Sequence, residues 1–260
     1  MCSHRAPGLT WLLNRAPDRG ASFEIACVVT SEDTFDEEVR VERRGIPTLV
    51  HSIRRFCEAQ GGSVYHDLET RRAYDAETAR LLEPYFADLL LLDGYLYLVT
   101  KPLLNAFRDR TLNLHFSDLT LRNDDGTPRF PGIRAVRDAL AAGCAETRAT
   151  VHLVNECPDD GAPVVVSWPF AVSPLMSDLQ AIGASNIFGS YVHAHQQWMM
   201  QAAAGPLMAA ALRLVSSGAV TLRDLAQARG AVTNPWKLDE QGSLLAPSCE
   251  LATMPVVAHA

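Results

Sequence analysis

Hydrophobic and polar positions change period along this chain, and the changes predict strands alternating with helices. Residues 23–30, Phe-Glu-Ile-Ala-Cys-Val-Val-Thr, alternate weakly and are rich in β-branched side chains, which predicts a buried strand. Ser31-Glu-Asp-Thr follows with acids placed as in a helix's first turn, so a helix is expected to start there. Gly45 to His51 reads as a turn and a short strand. Residues 74–86 place Ala79, Leu81, Leu82 and Phe86 at helical spacing. The four leucines after Asp88, closed by Asp93-Gly94, form a continuous apolar run of the kind covered on both faces of a sheet. Residues 111–115, 150–154 and 164–168 predict three more short strands, and residues 135–142 a helix stopped by Gly143. Residues 186–215 predict a long helix, which Gly205-Pro206 is expected to kink.

This alternation implies an α/β fold: an open, mostly parallel twisted sheet with helices on both faces, Rossmann-type in layout. One domain is expected over residues 1–242. Residues 243–260 read as a C-terminal tail, loop-like and mobile at its end. Residues 121–129, containing Asn-Asp-Asp-Gly-Thr-Pro, read as a solvated loop.

Charge and composition narrow the function. With 23 basic and 30 acidic residues the net charge is −7, and no basic block exists to neutralise phosphates, so no nucleic-acid partner is expected. Apolar runs are too short for a membrane span, and residues 1–5 lack a signal-peptide layout, so no membrane partner is expected and the location is read as cytoplasmic. The six cysteines, Cys2, Cys27, Cys57, Cys144, Cys157 and Cys249, include no C-x-x-C pair, and none is read as a disulfide. No histidine spacing suits a metal; His193 and His195, two apart on a helix, point to different faces. No metal is expected.

In open α/β sheets, ligands bind outside the C-terminal strand ends. There, Asn113 and His115 alternate on one face of a strand while Leu112 and Leu114 take the other. Asp160 follows the next strand, before Gly161-Ala-Pro163. If the strands are neighbours, an amide, an imidazole and a carboxylate converge, a set suited to polarising a carbonyl and moving a proton. Each also has a plainer reading: a strand-end histidine is often structural, and Asp160 alone fits a turn.

The stretch from Arg71 to Phe170 resembles the folate-dependent formyltransferase family, its phosphoribosylglycinamide subfamily most of all. Arg72-Ala-Tyr-Asp75, Glu77 and the run from Asp88 to Tyr95 are similar to that family's helix and central strand. Leu112-Asn-Leu-His-Phe-Ser117 is similar to its catalytic Asn-x-His-Pro-Ser segment, and Phe130-Pro-Gly-Ile133 to its Pro-Gly helix. Residues 151–163 are similar to its strand and loop bearing a catalytic Asp, and Pro7-Gly8-Leu-Thr-Trp-Leu-Leu13 to its phosphate loop and first helix. The resemblance implies a formyltransferase-like fold and a formyl donor, 10-formyltetrahydrofolate. Asn113, His115 and Asp160 would be catalytic, with His115 protonated and its pKa raised by Asp160. Tyr95, Leu96, Tyr97, Leu98, Val99 and Asp159 would line the folate pocket, with Arg71 near the folate tail. Gly8, Leu9, Thr10 and Gln201 would meet a small-molecule amine acceptor. The oligomeric state is not specified by the sequence.

The chain departs from that pattern in several places. Phe116 and Thr120 replace prolines, residues 121–129 are additional, and Gly8-Leu9-Thr10 stands where the family has Gly-Ser-Asn. Only seven residues precede Gly8, where the family has a first strand, so two readings stand: a chain start placed too late, or a sheet that lacks that strand. Gln201 stands where the family has a glutamate on the acceptor's ribose. Asp93 replaces a small residue and fits two readings, an altered acceptor contact and a strand-end turn acid. Three activities remain open: an amine formyltransferase, a 10-formyltetrahydrofolate hydrolase and a non-catalytic folate or nucleotide binder. A transfer-RNA acceptor is not expected, since the residues after Gly218 are too few for the RNA-binding barrel of that branch.

Overall fold

A computed structural model describes residues 1–14, 23–63, 67–228 and 234–247. Helix α1 spans Pro7–Asn14, followed by β1 (Val28–Thr30), α2 (Glu38–Arg43), β2 (Thr48–Val50), α3 (Ile53–Ala59) and α4 (Leu68–Leu82). The middle of the chain holds β3 (Leu90–Leu92), α5 (Lys101–Ala106), β4 (Thr111–His115), α6 (Ala135–Ala141), β5 (Glu146–Thr147), β6 (Thr150–Leu153) and β7 (Pro163–Val166). Then come β8 (Phe170–Ala171), α7 (Leu175–Ala181), α8 (Ser185–Ser216), α9 (Leu222–Gln227), β9 (Trp236–Leu238) and β10 (Leu244–Leu245).

The main sheet runs in the order β10-β9-β7-β6-β4-β3. Pairs β3–β4 and β7–β9 are parallel, whereas β6 is antiparallel to both its neighbours. The sheet is therefore more mixed in direction than the alternating pattern implied, because residues 154–162 return the chain directly from β6 into β7. Helices cover both faces. Leu91, Leu112 and Leu114 point to the side packed by α6 and α8, where Val136, Leu140, Met199, Ala203 and Leu207 are buried. Leu90 and Leu92, on the opposite side, pack with Leu82 of α4 and Leu103 of α5. Asn113 lies beside Leu92 in register, so it shares that second side.

The place of the family's expected first strand is taken by the first residues of the sequence. Residues 1–3 run between β1 and β3, with the Cys2 amide donating to Val29 O (2.9 Å) and the Asp93 amide to Met1 O (3.0 Å). The Met1 nitrogen donates to Leu91 O at 2.7 Å. This stub joins the β1–β2 pair to the main sheet and fixes where α1 begins.

Several boundaries move. The helix expected from Ser31 starts at Glu38, because the Ser31 amide is bound to Cys2 O (2.9 Å) and the chain stays irregular after it. The tail expected from 243 begins inside a hairpin, since Leu244 and Leu245 pair with Leu238 and Lys237. The remainder of that tail, 248–260, lies outside the described residues. Helix α8 continues through Pro206. Its Gly205 meets Trp11 of α1 so closely that a Cβ there would lie 2.0 Å from Trp11 Cγ. Among the described residues no helix is long and apolar enough to cross a membrane.

Candidate active site

Strand β4 brings the first two groups. Thr111, Leu112 and Leu114 are buried, while Asn113 and His115 are half-buried on the opposite side from the two leucines. Strand β6 is the neighbour of β4, and His152 pairs directly with Asn113. Opposite residues of an antiparallel pair share a face, so a second imidazole joins the first two groups. His152 is 1% exposed. Its Nδ1 donates to Leu153 O at 3.0 Å, which leaves Nε2 to accept from Asn113 Nδ2 at 3.1 Å. Asn113 keeps a second N–H for another acceptor.

The loop after β6 supplies the carboxylate, and it is Asp159. Its Oδ2 lies 3.5 Å from His115 Nε2 and its Oδ1 3.7 Å from His152 Nε2. Three features hold it there. Its backbone is left-handed (φ 56°), an uncommon conformation for a residue other than glycine. Its Oδ2 accepts from the Gly132 amide at 2.6 Å. Gly161, two residues on, lets the loop close on β6, since a Cβ there would lie 1.6 Å from Leu153 O.

Asp160, the carboxylate expected beside His115, is turned elsewhere. Its Oδ1 pairs with Arg122 Nη1. Arg122 belongs to the additional segment 121–129, which bridges through Arg122 and Pro128 into a short ribbon. The insertion thus holds Asp160, and Asp159 takes the inward position.

The electrostatics differ from the expectation as well. Burial pulls His115 below the ordinary histidine value, and the Asp159 charge offsets only part of that. His152 is also lowered, first by burial and then by His115. Burial therefore favours the uncharged form of both imidazoles, whereas the expectation for His115 was a cation. Its Nε2 is buried and makes no hydrogen bond among the described residues.

The residues expected around a folate form a loop off the end of β3. Tyr97, Leu96 and Leu98 line a cavity of about 230 Å³ with Asp67, Leu68, Arg71 and Thr100. Leu96 and Leu98 expose 66% and 45% of their surface. Val99 is buried in the core with Leu103, and the Tyr95 hydroxyl is buried with no hydrogen bond among the described residues. Arg71 is buried, donates to the Leu98 carbonyl and lies over the Tyr97 ring at 5.2 Å. It therefore shapes the cavity wall rather than standing open in it.

The expected acceptor contacts are largely engaged within the chain. The Leu9 amide donates to Asp93 Oδ2 (2.8 Å), and the Thr10 hydroxyl lies within donating distance of both Glu37 Oε1 (2.9 Å) and Ala6 O (2.9 Å). Gly8 packs against Met208 and Asp93. Gln201 is exposed on α8, one turn before Gly205. Asp93 itself is buried, which pushes its carboxyl up to about 6 against the amides of Gly8 and Leu9.

Sequence reasoning missed His152 and Asp159 as partners of His115. The available signals were Thr150 and His152 alternating on β6 and the adjacent acids Asp159 and Asp160 before Gly161. His195 is buried against Thr147 Oγ1 (2.8 Å) while His193 is exposed, and Arg54 and Arg55 pair with Asp33 on the surface. Among the described residues all cysteines are free, and no group of three metal-ligating side chains is suited to an ion.

An amide N–H, an uncharged imidazole and a nearby carboxylate at strand ends suit chemistry at a carbonyl carbon. The sequence profile described as formyl transferase matches residues 1–184, and the chain belongs to that family. It is 29% identical over 198 residues to the trifunctional purine biosynthetic protein adenosine-3 of Drosophila pseudoobscura pseudoobscura, covering 76% of this chain and 12% of that protein. It is 30% identical over 142 residues to the phosphoribosylglycinamide formyltransferase of Haemophilus influenzae, covering 55% of this chain and 58% of that one. Among solved structures it is similar to glycinamide ribonucleotide transformylase 1 of Symbiobacterium toebii, with 27% identity and a TM-score of 0.55, covering 84% and 85% of the two chains. A formyltetrahydrofolate deformylase of Pseudomonas syringae shares the fold, with 22% identity and a TM-score of 0.53 over 77% of this chain and 60% of that one.

Proposed function

We propose that this chain is a formyltransferase that moves a formyl group from 10-formyltetrahydrofolate to a small amine, either phosphoribosylglycinamide-like or another. The observation that carries this reading is the convergence of Asn113, His115, His152 and Asp159 on one side of β4 and β6. The donor supplies a formyl carbon on a nitrogen that must leave protonated. The 95–99 loop fits such a ligand, through the exposed faces of Leu96 and Leu98 and the unpartnered, buried Tyr95 hydroxyl.

Each group has a role set by its surroundings. Asn113, anchored by one N–H to His152, presents the other to the charge that develops on the formyl oxygen. His115 enters uncharged and takes the proton released by the attacking amine through Nε2, which makes no hydrogen bond among the described residues and faces Asp159. Asp159 stabilises the imidazolium so formed, and His115 then returns the proton to the leaving nitrogen. His152 fixes the orientation of Asn113. Asp160, held by Arg122, supports the loop instead of the proton path.

The acidic charge favours a small-molecule acceptor over a nucleic acid. The test is incubation with 10-formyltetrahydrofolate, with and without a panel of amines. Donor loss that depends on an amine is expected. Loss without an amine would assign a hydrolase, and binding without loss a non-catalytic module.

A further inference from the structure

The N-terminal turn of α1 directs backbone N–H groups outward, and such a turn is a ready anion site. In this chain the turn is filled from within. Asp93, the first residue past β3, sends Oδ2 to the Leu9 amide at 2.8 Å. Asp93 is 4% exposed, so solvent does not compete for it. Its other oxygen, Oδ1, is buried beside the turn with no hydrogen-bond partner among the described residues. One side of Gly8 is closed too: a Cβ there would lie 2.7 Å from Met208 Sδ and Cε and 3.2 Å from Asp93 Oδ2. The next donor along, the Thr10 hydroxyl, is held by Glu37, a second buried acid.

We infer that Asp93 is a specificity-determining residue, a built-in anion that occupies the α1 turn and excludes a phosphate, so that the amine acceptor of this chain carries no phosphate group there. The inference rests on the formyl-transfer reading for the word acceptor, while the exclusion of phosphate stands on geometry alone. A phosphate oxygen approaching the Leu9 amide meets a carboxylate already in its place, and like charges at that distance repel. Replacing Asp93 by a small neutral side chain frees the amide and removes the repulsion. The strand-end position explains the choice of residue, since the carboxylate of the first residue past β3 reaches the helix that begins between β1 and β3.

The test is equilibrium binding, which does not depend on turnover. Wild-type protein is titrated calorimetrically with phosphoribosylglycinamide and with its dephosphorylated riboside. The two are expected to bind within about threefold of each other, or both below detection; tighter binding of the phosphorylated compound beyond that ratio overturns the inference. Asp93→Ala, and Asp93→Asn should the alanine variant fail to fold, are titrated with inorganic phosphate. At least one folded variant is expected to gain about tenfold in phosphate affinity over wild type; folded variants with no gain overturn it. Failure of the formyl-transfer reading would appear instead as absent donor consumption with every amine, an independent measurement.

Discussion

Asp159 Oδ2 lies 3.5 Å from His115 Nε2, while the adjacent Asp160 is paired with Arg122. Two neighbouring acids are thus separated in role by one left-handed residue, Asp159 at φ 56°. If proton movement runs through the His115–Asp159 pair, Asp159→Asn should lower donor turnover by about 10²–10⁴-fold. Asp160→Asn removes only a partly exposed ion pair and should stay within about threefold of wild type. Steady-state kinetics on both variants checks this, and the reverse order would return the catalytic role to Asp160.

His115 should titrate below the ordinary histidine value of about 6.5, because burial dominates its surroundings. Asp159→Asn should move the midpoint further down, since the carboxylate favours the charged imidazole. NMR of the imidazole resonances measures both. The sign of the linked stability follows. His115 and His152 stay uncharged in the fold while the unfolded chain takes up protons near 6.5, so their contribution is intact above that value and is lost as pH falls below it. Asp93 acts oppositely: its folded value of about 6 lies above the ordinary carboxylate range, so its contribution is present in acid and is lost as pH rises through 6.

Gly161→Ala should cost about 2–3 kcal/mol or more, as overpacking against backbone does. The added Cβ would lie 1.6 Å from Leu153 O, and backbone cannot yield as a flexible side chain can. Denaturant unfolding gives the stability change. The Asp159 loop should shift with it, so turnover should fall even where the variant is folded.

The sequence specified the short strand 111–115 to the residue, because Leu112 and Leu114 alternate with Asn113 and His115 and nothing in between breaks the period. Helix α6 was equally legible, ending close to the Gly143 stop. The stub at residues 1–3 was not, because a segment that short has no period to read; its hydrogen bonds to Val29 and Leu91 exist only once β1 and β3 are in place. His152 was hidden for a related reason. It belongs to the site only through its register with Asn113, and a strand's own sequence does not state its partner. Between Asp159 and Asp160 the difference is a backbone angle and an arginine from the inserted loop. The first turn of α1 was readable as departing from the family pattern at Leu9 and Thr10, but that Asp93 and Glu37 fill it required the packing of α1 on the end of β3.

The most direct measurement is donor consumption by wild type and His115→Ala, each with 10-formyltetrahydrofolate in the presence and absence of small amines. The account predicts loss of donor only when an amine is present, and a rate about 10²–10⁴-fold lower in the folded variant. Donor left intact with every amine, or equal rates for the two proteins, would contradict it.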